Sequence, residues 1–143
     1  MRRRNIELEP TDWQASDGRP RVLIEHHDSS IGVAVGNLLT AEGYAVSHCR
    51  GPEARAGKCP LVQEGECERA EEADVVFFGL ELSDVGDREV LRSLREHFAG
   101  TPVIVELPVS RIPVYEEELE GCFVVPQPLT RDTLLQAVDR ALR

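Results

Sequence analysis

The chain has 143 residues, a formal net charge of −10, and 41% hydrophobic and 29% charged residues. That length buries a core without metals or disulfides as structural necessities. The acidic balance excludes non-specific nucleic-acid binding, which draws its affinity from Lys and Arg on phosphates, and no apolar run approaches the ~20 residues of a membrane span.

Residues 1–20 are polar, hold Pro10, Gly18 and Pro20, and show no sustained period; they read as a flexible N-terminal arm, with Trp13 docking on the body or on a partner. The basic start Met1-Arg2-Arg3-Arg4 runs into Glu7 and Glu9 rather than an apolar segment, which argues against a secretory signal. A cytoplasmic location is the expectation. The four cysteines, Cys49, Cys59, Cys67 and Cys122, are then expected to be reduced rather than a disulfide framework.

From Arg21 the pattern changes. Arg21 to His27 is an apolar, β-branched first strand that ends in Glu25, His26, His27 and Asp28. Asp28, Ser29 or Ser30 caps a helix whose Ile31, Val35, Leu38 and Leu39 share one face, and Gly43 closes it. Tyr44 to Cys49 is a second strand. Residues 50–67 form an insertion rich in Gly and Pro, and Cys67 to Ala73 a short acidic helix. Asp74 to Leu80 is apolar on both faces and reads as the central third strand.

Gly86 to Phe98 carries Val90, Leu91, Leu94 and Phe98 at helical spacing. Pro102 to Leu107 is a fourth strand. Pro113 interrupts the segment after it, leaving one or two short turns over Val114 to Leu119. Phe123 to Val125 is a fifth strand, and Thr130 caps a last helix with Leu134, Val138, Ala141 and Leu142 inward. Strands alternating with helices through short connections predict right-handed crossovers. The expected fold is a flavodoxin-like α/β domain over 21–143, a doubly wound five-stranded parallel sheet in the order 2-1-3-4-5.

Three stretches carry a resemblance. Arg21 to Tyr44 (RVLIEHHDSSIGVAVGNLLTAEGY) resembles the opening of a bacterial response-regulator receiver domain. Ala73 to Val105 is similar to that family's third strand through fourth strand, and Pro126-Gln127-Pro128-Leu129-Thr130 to its terminal Lys-Pro turn. The family uses an aspartate acceptor after the third strand and an acid pair after the first that holds magnesium. A hydroxyl after the fourth strand and a lysine after the fifth complete its site. The metal and the lysine neutralise the transferred phosphoryl group.

On the matching positions stand Gly79 for the acceptor, His26 and His27 for the acids, Leu107 (or Glu106, one register off) for the hydroxyl, and Gln127 for the lysine. Gly79 has no side chain to phosphorylate, and imidazoles suit zinc, copper or nickel better than magnesium. The resemblance therefore implies a degenerate pseudo-receiver in two-component signalling. Such a module is not an enzyme, needs no cofactor, and binds another signalling protein or itself. The face would be the one built from the fourth-to-fifth connection, the fifth strand and the last helix. No Gly-rich phosphate loop or G-x-S-x-G elbow suggests an enzyme.

A second reading uses the cysteines. In a parallel sheet His26, His27 and Cys49 end neighbouring strands on one edge, where the insertion carrying Cys59 and Cys67 begins. That set suits zinc or another thiophilic metal, although the spacings lack a C-x2-C knuckle. A reversible disulfide through Cys59 and Cys67 or Cys49 is another use, with Arg50, Arg55 and Lys58 nearby to favour a thiolate. The plain alternative is a solvated strand end beside inert thiols. Cys122 precedes the fifth strand at the opposite edge and stands apart.

Overall fold

A computed structural model describes Trp13, residues 18–52 and residues 59–143. The rest of the expected arm, and residues 53–58 of the insertion, lie outside the described residues. The elements run β1 (Arg21–Glu25), α1 (Ser29–Ala41), β2 (Ala45–Cys49), α2 (Pro60–Glu64), α3 (Glu68–Glu72), β3 (Val75–Phe78), α4 (Val85–His97), β4 (Val103–Pro108), β5 (Phe123–Gln127) and α5 (Arg131–Ala141). All strand pairs are parallel, and the sheet order is β2-β1-β3-β4-β5.

Strand alternation sends successive side chains to opposite faces and so divides the core in two. Leu23, Val76, Phe78 and Val105 pack with α2, α3 and α4, whereas Ile24, Phe77 and Ile104 pack with α1 and α5. Each fully buried Leu or Phe stabilises the fold by about 1.5–3 kcal/mol. These two layers fix the sheet and leave its carboxyl edge to the loops. Among the described residues no helix is long and apolar enough to cross a membrane.

Helix entries are set by short oxygen side chains. Asp28 accepts from the N–H groups of Ser30 (2.8 Å) and Ile31 (3.3 Å), Asp84 accepts from Asp87 (3.0 Å), and Thr130 accepts from Thr133 in a reciprocal box. After α1 the chain turns at Gly43, whose φ of +99° favours a residue without Cβ.

Several boundaries differ from expectation. β1 stops at Glu25: the His26 N–H still bonds the Cys49 carbonyl at 2.9 Å, and then the Asp28 N–H turns onto His26 Nδ1 at 3.1 Å. Both histidines therefore sit in the turn rather than in the strand. β4 and β5 run on to Pro108 and Gln127 because their ladder continues, with Glu106 opposite Val125 and Pro108 opposite Gln127. The insertion is not wholly irregular: Pro60 starts and Gly65 (φ +73°) ends the short α2. Where a fourth crossover helix would stand, two 3-10 turns, Val109–Arg111 and Pro113–Tyr115, lead into the β4–β5 connection.

Candidate functional site

The carboxyl ends of β1, β3, β4 and β5 bring His26, Gly79, Glu106 and Gln127 to one edge of the sheet. Alternation places Glu106 on the α1/α5 side, because its neighbours Val105 and Leu107 both enter the α2/α3/α4 core. Leu107 is thereby spent on packing. Glu106 is the β4 side chain that reaches Gly79: a Cβ built on Gly79 meets Glu106 Oε1 at 3.2 Å. It also meets His26 Cδ2 at 2.6 Å and Nε2 at 3.3 Å. Real Cβ atoms essentially never approach a neighbour as closely as 2.6 Å. The space that a side chain at position 79 needs is filled by an imidazole and bordered by a carboxylate.

Electrostatics make both groups less charged than usual. Glu106 is 8% exposed, and its Oε1 has no hydrogen-bond partner among the described residues. Burial raises its carboxyl above 4.5, against a hydrogen bond with Gln127 that favours the ionised form. Burial likewise lowers His26 below 6.5, opposed by the Asp28 carboxylate and helped by His48 and His27. Because His26 Nδ1 accepts the Asp28 N–H, the hydrogen of the neutral ring lies on Nε2, toward Gly79.

His27 turns the other way. Its Nδ1 lies 2.8 Å from the Arg50 carbonyl and its Nε2 2.5 Å from Asp87 Oδ2. A carbonyl and a carboxylate are both acceptors, so the ring is held as a donor on both sides. Asp87 is 2% exposed and also accepts the Glu81 N–H at 3.0 Å. The result is a clasp between the β1–α1 turn, the end of β2 and the start of α4. A third ring, His48, donates from Nε2 to the His26 carbonyl at 3.0 Å and lies against Gly32, where a Cβ would collide with the imidazole.

The expected His/Cys cluster is not assembled. Among the described residues no three His, Cys, Asp or Glu side chains are grouped to hold a metal ion. The reason lies in where each donor is committed. The His27 nitrogens and His26 Nδ1 are bonded as above, while Cys59 belongs to the α2/α3/α4 core and Cys49 and Cys67 pack against it. Apolar packing competed for the thiols and won. Cys67 is pushed above its usual 9.0, first by burial, and Glu25 adds to the rise. Buried Arg69 and Glu25 both act on it, and Arg69 Nη1 also bonds the His48 carbonyl at 3.1 Å. Cys122 packs against the same core and is raised by burial as well.

The donor set does not fit magnesium either. That ion takes oxygen ligands in near-octahedral array, whereas the two residues that follow β1 are the imidazoles of His26 and His27. Asp28 is tied to helix N–H groups, and Asp87 to His27. Sequence reasoning missed His48, Asp87 and Arg69. Gly32 in the first turn of α1 was the only local hint, since a helical glycine costs about 1 kcal/mol and often marks a close neighbour.

The sequence matches no protein-family model and no curated protein. Solved structures are similar in three dimensions. Chemotaxis protein CheY4 of Vibrio cholerae is 20% identical, with a TM-score of 0.65 over 87% of this chain and 99% of its own. A response-regulator receiver domain from Clostridium thermocellum is 17% identical, with a TM-score of 0.67 over 86% of this chain and 94% of its own. The receiver domain of NtrX from Brucella abortus is 16% identical, with a TM-score of 0.65 over 85% and 97%. The chain has the fold of response-regulator receiver domains.

Proposed function

We propose that this chain is a phosphorylation-independent pseudo-receiver, a signalling module that acts by binding another protein. The observation that carries this reading is the occupied space over Gly79. A phosphoacceptor needs a carboxylate there with room for in-line attack and cationic groups to receive the developing charge. His26 fills that room instead, the buried Glu106 carboxyl borders it, and Gln127 supplies an amide in place of a cation. Glu106 and Gln127 stand on the adjacent strands β4 and β5 at the same edge of the sheet. A site already filled by a side chain of the same domain suits a constitutive docking surface on the β4–β5 connection, β5 and α5. That surface would receive another signalling protein, with no cofactor.

The test is uptake of phosphate from acetyl phosphate with magnesium, read by intact mass, beside beryllofluoride binding read by fluorine NMR. Neither is expected. Gly79→Asp is expected not to restore uptake and to lower stability by about 1–3 kcal/mol, because its Cβ meets the His26 ring. Stoichiometric phosphate or beryllofluoride uptake by the wild-type chain overturns the reading.

A further inference from the structure

The face that carries α4 and the β4–β5 connection holds charges of both signs that do not pair with each other. Arg88, Arg92 and Arg95 recur along α4 at steps of four and three residues, so one side of the helix presents them together, with Glu96 beside them paired to His97 at 3.2 Å. Across a groove of about 430 Å³ stand Glu117 and Glu118 of the connection, with Glu116 and Glu120 beside them in sequence. Arg95 Nη1 donates to the backbone carbonyls of Glu117 (3.4 Å) and Glu118 (2.8 Å), which ties the two sides together. Arg88 donates to the Leu82 carbonyl at 2.8 Å, and Arg92 pairs with Glu89 on its own helix at 2.6 Å.

The four carboxylates of Glu116, Glu117, Glu118 and Glu120 make no ion pair or hydrogen bond among the described residues. Arg88 and Arg95 bond carbonyls and neither makes an ion pair among the described residues. Apolar side chains accompany these strips: Val85 opens α4, and Val109 and Val114 lie in the connection, all at least 60% exposed.

A basic strip beside an acidic strip is complementary to itself. A two-fold axis lying in the contact plane along the groove sets the α4 arginines of one copy against the 116–120 glutamates of the other, and the reverse by symmetry. An axis across the groove sets like charge on like. The geometry points to a second copy of this chain as the occupant of this face, in the first of these two arrangements. The proposal rests on the reading of the chain as a protein-docking module and not on its failure to take phosphate. It also names α4, rather than β5 and α5, as the partner of the connection.

Two chains of net charge −10 repel at long range. At physiological ionic strength the screening length is about 8 Å, so that repulsion is damped while charges in contact still select partner and register. Charge reversal is accordingly the discriminating experiment. In sedimentation equilibrium the full chain is expected to dimerise reversibly. Arg88→Glu with Arg92→Glu, or Glu116→Arg with Glu117→Arg, is expected to raise the dissociation constant by at least about tenfold, since symmetry counts each change twice. The two sets combined restore dimerisation to within a few-fold of wild type. Circular dichroism of each variant checks folding.

A wild-type chain that stays monomeric throughout the concentration range overturns the proposal, as does a dimer indifferent to both reversed sets. Either result leaves the beryllofluoride experiment untouched, and phosphate uptake leaves the dimer untouched, so the two readings fail separately.

Discussion

At the level of single residues, the two adjacent histidines divide the carboxyl edge between them. His26 goes to the α1/α5 side and fills the space over Gly79, whereas His27 goes to the α4 side and clasps Asp87. That divergence comes from the turn after β1, where the Asp28 N–H bonds His26 Nδ1 and His27 reaches Arg50 and Asp87. The identity of the β4 residue was not legible in the sequence, because a one-residue choice between Glu106 and Leu107 depends on where the strand register starts. The register gives Glu106 a buried carboxyl whose pH behaviour is testable. A carboxyl raised above 4.5 is held protonated more tightly by the folded chain than by the unfolded one. Its contribution is therefore greatest below that value and is lost as pH rises through the folded value. His26, lowered from 6.5, has the opposite sign: its contribution is intact above 6.5 and is lost as pH falls through its folded value. Glu106→Gln removes the first effect and leaves the second. Urea melts from about pH 5 to about pH 8 should show the variant gaining on wild type as pH rises. A difference that is flat with pH contradicts the account.

At the level of elements, the strands and long helices were legible because their periods are clean, and the segment around residues 50–67 was not. Its Gly and Pro content reads as irregular, yet Pro60 and Gly65 are also the start and stop residues of a short helix. What decides between the two is tertiary: Leu61 is buried to 1% exposure, and α2 closes the same apolar layer as α4. The cysteines belong to that layer. Cys59 and Cys67 precede α2 and α3 at their cap positions, and neither side chain caps its helix. Burial that raises the Cys67 thiol above 9.0 also lowers its thiolate fraction at neutral pH, and the thiolate is the reactive form. In the folded protein Cys59 and Cys67 are expected to alkylate at least about tenfold more slowly than in denaturant, read by timed mass spectrometry. Rates at neutral pH equal to those of the unfolded chain would reinstate a redox role.

At the level of the whole molecule, the sheet order was legible because parallel strands joined by short helical connections leave few right-handed solutions. The attachment of the N-terminal segment was legible only as a lone aromatic in a polar stretch. Trp13 donates from Nε1 to Glu72 Oε1 at 2.8 Å, stacks under the Arg21 guanidinium at 5.6 Å, and packs against the α2/α3/α4 core. It ties the chain before β1 to α3, so part of the stability of the sheet's second crossover comes from outside the five strands. Removing residues 1–17, or replacing Trp13 with Ala, should cost about 1–3 kcal/mol in urea melts, the range for a partly buried aromatic with a cation contact. Because Trp13 is the only tryptophan, its emission reports the docking alone. Glu72→Ala should shift that emission toward the solvent-exposed position while the far-ultraviolet circular dichroism stays unchanged. Unchanged emission in Glu72→Ala would mean that the apolar contact holds Trp13 without the hydrogen bond, and the Trp13→Ala melt then measures that contact by itself.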